Sequence, residues 1–376
     1  MPKKLLKIIE GEGLTLIKDR LGIFRDKIST ESQDIDGFLI TNLKNLYYLS
    51  GFDGEGCALV LAKGKNYLLT DSRYTEHAQK ESPDFEILTD DPKKKDARIL
   101  ALKKIFTQNK VKKIAFESNN LSYADFGKYS NSFKSIKLLP TENIIEKLRM
   151  IKDKEEIIKI KKAAQITTES LKDVFEAIEP GMRELDIASE LAYNMRKKGA
   201  LKEAFETVVV SGQRSSLPHG KPSEKKIEEK ELITIDMGAN YQNYSSDITR
   251  TILLGKENNK QKEIFSLVLE AQMAALEFLK PGVSCKEVDS IARKIITRGG
   301  YGEYFGHGLG HGVGLDIHEL PRVSFSDDTV LQPGMVITIE PGIYLPEMGG
   351  VRIEDSVLIT DESYEILTWF PKLLNL

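Results

Sequence analysis

One six-residue pattern occurs twice in this chain of 376 residues. Ile233 to Gly238 reads ITIDMG, and ITIEPG follows 104 residues later at Ile337 to Gly342. Alternate side chains of a strand point to opposite faces, so the isoleucines of each copy face a core. The acid of each copy, Asp236 or Glu340, shares the other face with a threonine. The repeat therefore predicts a duplicated unit in which each half presents one carboxylate from a rigid strand.

Each copy supplies a second acid at a similar distance. Asp247 follows Asp236 by eleven residues and Glu354 follows Glu340 by fourteen, which suits the return strand of a hairpin. Acids at strand ends are often merely solvated, and that interpretation stays open for each acid alone. Four carboxylates in two matching copies favour convergence on one site, where their mutual repulsion would be relieved by a cation.

Three of the five histidines lie within the thirteen residues from His307 to Glu319. Glycine occupies every second position from 308 to 314, which penalises a helix and argues against the helical zinc-protease motif. In an extended chain His307 and His311 share a face, whereas His318 reaches the same site only through a turn or bulge that glycines permit. A lone histidine is commonly structural, but three among glycines favour a functional site.

A fourth histidine, His219, ends a strand-and-loop stretch in the first copy, from Phe205 to Gly220. Adding the offset of 104 residues gives position 323, near His318, so the duplication could include a histidine as well as the acids. The fifth, His77, has no motif around it and is predicted to be a surface residue.

Composition argues against several classes of function. A net charge of -3 and a pI near 6.1 give no electrostatic footprint for nucleic acid, and the lysines at 93–95 are interpreted as a solvated loop. The two cysteines, Cys57 and Cys285, lack metal-type spacing and fit a reducing compartment. No apolar segment has the character of a membrane span or of a signal-peptide core, so we expect a cytoplasmic protein.

The order of predicted elements divides the chain in two. Strand-like and helical runs alternate before residue 148, which predicts an α/β domain over residues 1–148. The remainder, 149–376, repeats one order twice, with a long helix, a Pro-Gly stop, a shorter helix and acid-bearing strands. The stops at Pro180-Gly181 and Pro281-Gly282 are 101 residues apart, close to the strand offset. We expect the two halves to pack about a pseudo-twofold axis, with the site where their sheets meet.

These motifs resemble those of the two-metal aminopeptidases of the pita-bread fold, and more narrowly the proline-specific branch of aminopeptidase P and prolidase. The resemblance rests on Asp236, Asp247, His311, Glu340 and Glu354, and on the segments His307 to Glu319 and Gly350 to Asp355. Asn45 to Phe52 and Thr70 to Tyr74 resemble the creatinase-type amino-terminal domain of that branch. The resemblance therefore implies an α/β fold, with a creatinase-like domain followed by a pita-bread catalytic domain. The stretch Met1 to Thr15 has no counterpart that we can place.

The resemblance also implies a dinuclear metal centre. Asp247 and Glu354 would bridge two divalent ions, Asp236 would cap one, and His311 with Glu340 would complete the other. Such a hard, oxygen-rich ligand set favours manganese, with cobalt, zinc or iron as alternatives. Two ions roughly 3.5–4 Å apart lower the pKa of a shared water enough to give a nucleophile at neutral pH.

The predicted reaction is hydrolysis of the amide bond between an amino-terminal residue and proline. Glu340 would handle the proton as well as bind metal. His219 and His318 are the candidate donors to the developing oxyanion. His307 resembles the residue that lines the pocket for the proline ring, so all four side chains would contact the reacting groups or the substrate.

Two arginines, Arg322 and Arg352, are predicted to lie at the substrate site. Arg352 is expected to orient the nearby Glu354 rather than to touch substrate. Arg322 is either a grip on a substrate carboxylate or a surface charge. Such a grip is needed by prolidase, which cleaves dipeptides, and not by aminopeptidase P, which accepts longer peptides.

We favour aminopeptidase P because of the short two-domain build, with prolidase as the alternative. The resemblance also implies a homodimer, in which a loop of the partner subunit could contribute to specificity. Two other classes stay open, a metal-free creatinase-type hydrolase and a binding module that has lost catalysis. Either should lack part of the five-ligand set, which is complete here.

Overall fold

The computed structural model describes residues 17–31, 35–91 and 93–375. The chain divides into two compact units, the first ending at Arg149 and the second beginning at Met150. The stretch Met1 to Thr15, for which no counterpart could be placed, lies outside the described residues. Among the helices of the described ranges, none combines the length and hydrophobicity that a bilayer span requires.

The first unit is a mixed sheet with helices. Its strands are β1 (Gly37–Ile40), β2 (Ala58–Ala62), β3 (Lys65–Asp71), β4 (Glu86–Asp90), β5 (Lys113–Glu117) and β6 (Lys137–Thr141). Its helices are α1 (Ile17–Glu31), α2 (Leu43–Ser50), α3 (Thr75–Glu81), α4 (Ala97–Gln108), α5 (Tyr123–Ser132) and α6 (Ile144–Arg149). The strand order is β4-β3-β2-β1-β5-β6. Apolar side chains of the sheet and of α4, such as Val60, Leu102 and Ile114, form its core, which confirms the predicted α/β character.

The second unit contains two pairs of helices, each a long helix followed by a shorter one. They are α7 (Lys154–Phe175), α8 (Glu184–Lys197), α9 (Asn259–Phe278) and α10 (Cys285–Arg298). A capping box of Asp153 and Glu156 begins α7, and one of Asn258 and Gln261 begins α9. In each box both side chains accept hydrogen bonds from backbone N–H groups that the start of a helix leaves without partners. The helix order therefore recurs as the Pro-Gly stops predict.

The strands of the second unit form four small sheets. They are β7 (Lys202–Glu203), β8 (Val208–Ser211), β9 (Leu232–Met237), β10 (Ala239–Tyr241), β11 (Tyr244–Ser245), β12 (Ile248–Leu253), β13 (Gly310–Gly312), β14 (Glu319–Val323), β15 (Val336–Ile339), β16 (Gly342–Leu345), β17 (Gly349–Arg352), β18 (Asp355–Ile359) and β19 (Tyr364–Ile366). The sheet orders are β12-β9-β8, β14-β13-β15-β18-β19, β11-β10-β7 and β16-β17. Short 3-10 turns lie at Gly212–Ser216 and Gly302–Tyr304.

The repeated hexapeptides form equivalent strands. β9 pairs antiparallel with β12, and β15 pairs antiparallel with β18. Ile233 and Ile235 of β9 are 0% exposed and lie in an apolar core with α7 and α8. The isoleucines of the second copy are buried in the same way against α9 and α10. Asp247 directly precedes β12 and Glu354 directly precedes β18, so each hairpin carries a second acid beside the first.

Candidate metal centre

The structure brings the predicted ligands together inside the second unit. His311 Nε2 lies 3.6 Å from Asp247 Oδ2 and 3.3 Å from Glu340 Oε1. Ligand atoms of Asp247, His311 and Glu354 all lie within 4.8 Å of one another. Asp236 is close enough to interact electrostatically with Asp247 and Glu340. Asp247, His311 and Glu354 form a group that could hold a metal ion.

The carboxylates of the centre lie close to like charges and are largely shielded from water, and both conditions change their pKa values. Burial, followed by the charge of Glu354, raises the pKa of Asp247 well above its ordinary value. Burial, followed by the charge of Glu340, does the same for the pKa of Glu354. For Glu340 burial acts in the same direction, but the hydrogen bond and charge of His311 outweigh it and hold the pKa at about 2. A divalent cation would relieve the repulsion that otherwise favours protonation.

Two carboxylate oxygens test whether the residues fit a metal. Asp236 Oδ1 and Asp247 Oδ1 are buried without a hydrogen-bond partner in the described part of the chain. A buried charge without a partner is costly, so these atoms indicate a partner of opposite charge. Carboxylate and imidazole donors suit hard and borderline divalent ions. The residues present therefore fit divalent metal.

His318 reaches the centre because the glycine-rich segment turns back on itself. β13, which contains His311, pairs antiparallel with β14, and the register shifts between His311 and Gly312. A Cβ added at Gly310 would lie 2.0 Å from the carbonyl oxygen of Thr338, so only glycine allows this approach. The His318 and His311 rings stand edge to face with centroids 4.3 Å apart. The reversal and bulge supply the bend that His318 required.

Arg352 contacts the centre in a way that corrects one prediction. Its Nη2 donates to Asp236 Oδ2 at 2.6 Å, whereas the sequence pattern predicted Glu354 as its carboxylate partner. Glu354 is reached through a hydroxyl, since Arg352 Nε donates to Thr249 Oγ1 at 3.0 Å and Thr249 donates to Glu354 Oε2 at 2.6 Å. Burial raises the pKa of Asp236, and the charge of Arg352 opposes that shift. Arg352 therefore holds one acid directly and a second through Thr249.

Tyr344 is a site residue that sequence reasoning missed. Its hydroxyl lies 2.9 Å from His307 Nε2 and accepts from Arg352 Nη1 at 3.0 Å. It faces Gly350 across the β16–β17 hairpin, where an added Cβ would lie 2.8 Å from the tyrosine ring. The glycine pair Gly349-Gly350 was the signal in the sequence, and it indicates space for a ring at Gly350 without assigning Tyr344 a function.

The two remaining predicted site residues, His219 and Arg322, interact with the same histidines. His219 is exposed on the loop between β8 and β9 and interacts electrostatically with His307 and His318. Arg322 is exposed on β14, directly opposite His311 in the strand register. His77 is exposed in the first unit, as predicted for a surface residue.

Comparison with known families gives two matches. Residues 158–361 match the model of metallopeptidase family M24. Residues 20–151 match the model of the creatinase/prolidase N-terminal domain. The two matches together span both units of the chain.

Individual proteins of known name align with almost the whole of this chain. A Xaa-Pro dipeptidase of Pyrococcus horikoshii is 43% identical over 368 residues, which cover 98% of this chain and 97% of that protein. The structure of a Xaa-Pro dipeptidase from Bacillus anthracis has a TM-score of 0.91 at 40% identity and covers 96% of this chain and 100% of its own. The structure of an X-Pro aminopeptidase from Thermotoga maritima has a TM-score of 0.84 at 43% identity, covering 91% and 98%.

Proposed function

This chain belongs to metallopeptidase family M24, and from that premise we propose that it is an Xaa-Pro dipeptidase, or prolidase. The observation that carries the proposal is the near full-length similarity to the P. horikoshii dipeptidase, at 43% identity over 98% of this chain. As a metallopeptidase the protein uses divalent metal ions, which sets aside the metal-free hydrolase and the binding module.

The relatives support prolidase better than aminopeptidase P, which was the activity predicted from the sequence. The short two-domain build was the reason for that preference, yet the P. horikoshii dipeptidase matches over 97% of its own length. Chain length therefore does not separate the two activities. The X-Pro aminopeptidase of T. maritima, at 43% identity, supports aminopeptidase P as the second candidate.

The proposed ligands of two divalent ions are Asp236, Asp247, His311, Glu340 and Glu354. Their oxygen-rich chemistry supports manganese, with cobalt, zinc or iron as alternatives. Ions held there supply Lewis-acid chemistry that polarises an amide carbonyl and activates water. The two oxygens without hydrogen-bond partners in the described chain, on Asp236 and Asp247, support this assignment.

The side chains around the centre have separate proposed tasks. Glu340 receives a proton from the attacking water and returns it to the proline nitrogen as the amide bond breaks. His219 and His318 donate to the oxygen on which negative charge develops. His307, which is half-buried beside Tyr344, lines the pocket for the proline ring. Arg352 positions Asp236 and does not contact substrate.

A dipeptide requires a partner for its free carboxylate. Arg322 is the proposed partner, because it is exposed on β14 opposite His311 and interacts electrostatically with His318. Arg322 is therefore an exposed cation near His311 and His318. A longer peptide would place an amide there and would not need the charge.

The test is a cleavage assay with purified protein, in which metal is removed by chelation and then restored as manganese or cobalt. Substrates are an Xaa-Pro dipeptide and the matching Xaa-Pro-Yaa tripeptide, with products identified by mass. Metal-dependent cleavage of the dipeptide alone is the expected result. Release of the first residue from the tripeptide would mean aminopeptidase P, and no cleavage of either substrate with any metal would refute both.

We expect Tyr344→Phe to lower kcat/KM for the dipeptide by about tenfold, equivalent to about 1.4 kcal/mol. Loss of the hydroxyl leaves His307 Nε2 and one Arg352 N–H without their partner, at a cost of about 1–3 kcal/mol. Steady-state kinetics and metal analysis would check this. Metal content should stay unchanged, and wild-type kinetics in the variant would show that the contact is dispensable.

We also propose that the protein is a homodimer with a creatinase-like domain over 1–148 and a catalytic domain over 149–376. Light scattering should then give twice the chain mass of 42.3 kDa. A mass equal to one chain at assay concentrations would exclude the dimer.

A further inference from the structure

One buried acid of the second unit, Glu184, lies outside the metal centre. It is the first residue of α8 and is 0% exposed. Burying a carboxylate is costly unless hydrogen-bond donors surround it. The donors around Glu184 therefore indicate which part of the chain it holds.

Six hydrogen bonds from three residues converge on this carboxylate. Ser211 donates its backbone N–H and its hydroxyl to Oε1 at 2.7 and 3.0 Å. Ser223 donates the same two groups to Oε2 at 3.1 and 2.7 Å. Arg214 donates Nε–H to both oxygens, at 3.4 and 3.1 Å. Both oxygens act as acceptors, which a carboxamide cannot reproduce because its nitrogen only donates.

These donors lie at the ends of one loop and within it. Ser211 is the last residue of β8, and residues 212–222, which follow it, form the His219 loop. Ser223 directly follows this loop, and Arg214 lies inside it. Glu184 therefore fastens both ends of the His219 loop to the start of α8.

The His219 loop also contacts the β16–β17 hairpin beside the metal centre. Ser215 Oγ accepts from the Gly350 N–H at 2.8 Å, and the Pro218 carbonyl accepts from Arg352 Nη1 at 3.2 Å. A Cβ at Gly350 would lie 2.5 Å from the Ser215 carbonyl oxygen, so the two segments pack closely. A displaced loop would move His219 and also remove a contact of Arg352.

The second half contains a similar arrangement, built from a different position of its helix. Asp289 lies in α10, which begins 101 residues after α8, and it is 0% exposed. It accepts from the Leu309 N–H at 3.1 Å and pairs with Arg293 at 2.8 Å. Arg293 donates in turn to the His307 carbonyl at 2.8 Å. In both halves a buried helix acid and an arginine thus hold a histidine-bearing segment.

We propose that Glu184 is a positioning residue of the peptidase reaction, which fixes the His219 loop so that His219 is directed to the metal centre. This rests on the proposed function, in which His219 donates to the developing oxyanion. The substitution Glu184→Gln keeps the volume but turns an NH2 group toward N–H and O–H donors. One end of the loop is then no longer held.

Kinetics give the first test. Glu184→Gln is expected to lower kcat for the dipeptide by about tenfold, with KM and metal content little changed. In a His219→Ala background the same substitution should cost much less than it does in the wild type, because the loop then no longer carries His219 and only the Pro218 contact of Arg352 remains to be lost. Losses that add fully in the double variant would refute the proposal.

Histidine ring signals give a second test that does not depend on activity. In metal-free protein with isotope-labelled histidine, NMR should resolve ring signals from five histidines, and His219→Ala assigns one of them. Glu184→Gln should shift or broaden the His219 signal, and an unchanged signal would overturn the proposal. If the wild type cleaves no Xaa-Pro dipeptide, the proposed function fails. The His219 signal then still tests whether Glu184 fixes the His219 loop.

A matched control comes from the first unit. Glu117 is 7% exposed and accepts two backbone N–H groups and one side-chain amide. Glu117→Gln should lower the unfolding temperature while kcat and the His219 signal stay unchanged. An equal change of the His219 signal in both variants would indicate general destabilisation and refute a specific role.

A milder variant covers the case in which Glu184→Gln does not fold. Ser223→Ala removes only the hydroxyl that donates to Glu184 at 2.7 Å. It should change the His219 signal and kcat in the same direction and by less. A folded Ser223→Ala protein with a wild-type His219 signal would contradict the proposal.

Discussion

Glu340→Gln is expected to lower kcat/KM for the Xaa-Pro dipeptide by about 10²–10⁴-fold, the range of general acid–base catalysis. Glu340 lies 3.3 Å from His311 Nε2 and accepts from Thr338 Oγ1 at 3.1 Å. Glutamine keeps the shape, but its carboxamide neither takes up the proton nor binds metal as an anion. The substitution therefore removes a proposed ligand and the proposed proton carrier together.

Kinetics and elemental analysis of the purified variant would check this expectation. Glu347→Gln makes the same chemical change at an exposed position between β16 and β17 and should retain wild-type activity. Full activity in Glu340→Gln would show that the proposed mechanism is wrong. Lost activity with full metal content would assign the effect to proton transfer, and lost metal would assign it to ligation.

The convergence of the acids could be predicted because it follows from strand geometry. β9 and β15 repeat one pattern, and each pairs with a return strand that a second acid directly precedes. Asp236 lies opposite Thr249, and Thr249 follows Asp247 by two residues. The alternation of side chains along a strand and the length of a hairpin depend on neighbouring residues, so both can be predicted from the sequence. The helices were predictable for the same reason, since their caps and stops are local.

The supporting contacts could not be predicted because their partners are distant in the chain. Arg352 and Asp236 are 116 residues apart, and nothing in the local pattern distinguishes Asp236 from Glu354 as the partner. Glu184 resembles an ordinary acid in the first turn of a helix, where it would favour the helix dipole. Only the fold shows that it is buried beside Ser211 and Ser223.

No local sequence pattern decides between prolidase and aminopeptidase P either. The five proposed ligands act on the scissile amide, which both substrates share. The difference lies one residue further along the substrate, where a dipeptide ends in a carboxylate. Arg322 was identified from the sequence as a candidate for that carboxylate, but its exposure and its position opposite His311 required the structure.

Arg352→Met is expected to lower kcat/KM by about 10–100-fold and to weaken metal binding, as loss of a residue that orients ligands does. Arg352 is 4% exposed and donates to Asp236, Thr249, Tyr344 and the Pro218 carbonyl. Methionine fills part of the space and makes none of these bonds. The metal-free variant should lose about 3–5 kcal/mol of unfolding free energy, because Asp236 is left buried without its partner.

Arg352→Lys separates charge from geometry. Lysine keeps the positive charge, but its single ammonium group cannot donate to Asp236, Thr249 and Tyr344 at the same time. We therefore expect little recovery of kcat/KM relative to Arg352→Met, while Arg298→Met, a change at an exposed arginine, should have no effect. Full recovery by lysine would mean that charge alone accounts for Arg352. Urea unfolding with and without metal completes the test, because bound cations would pair with Asp236 and reduce the loss of stability in the loaded variant.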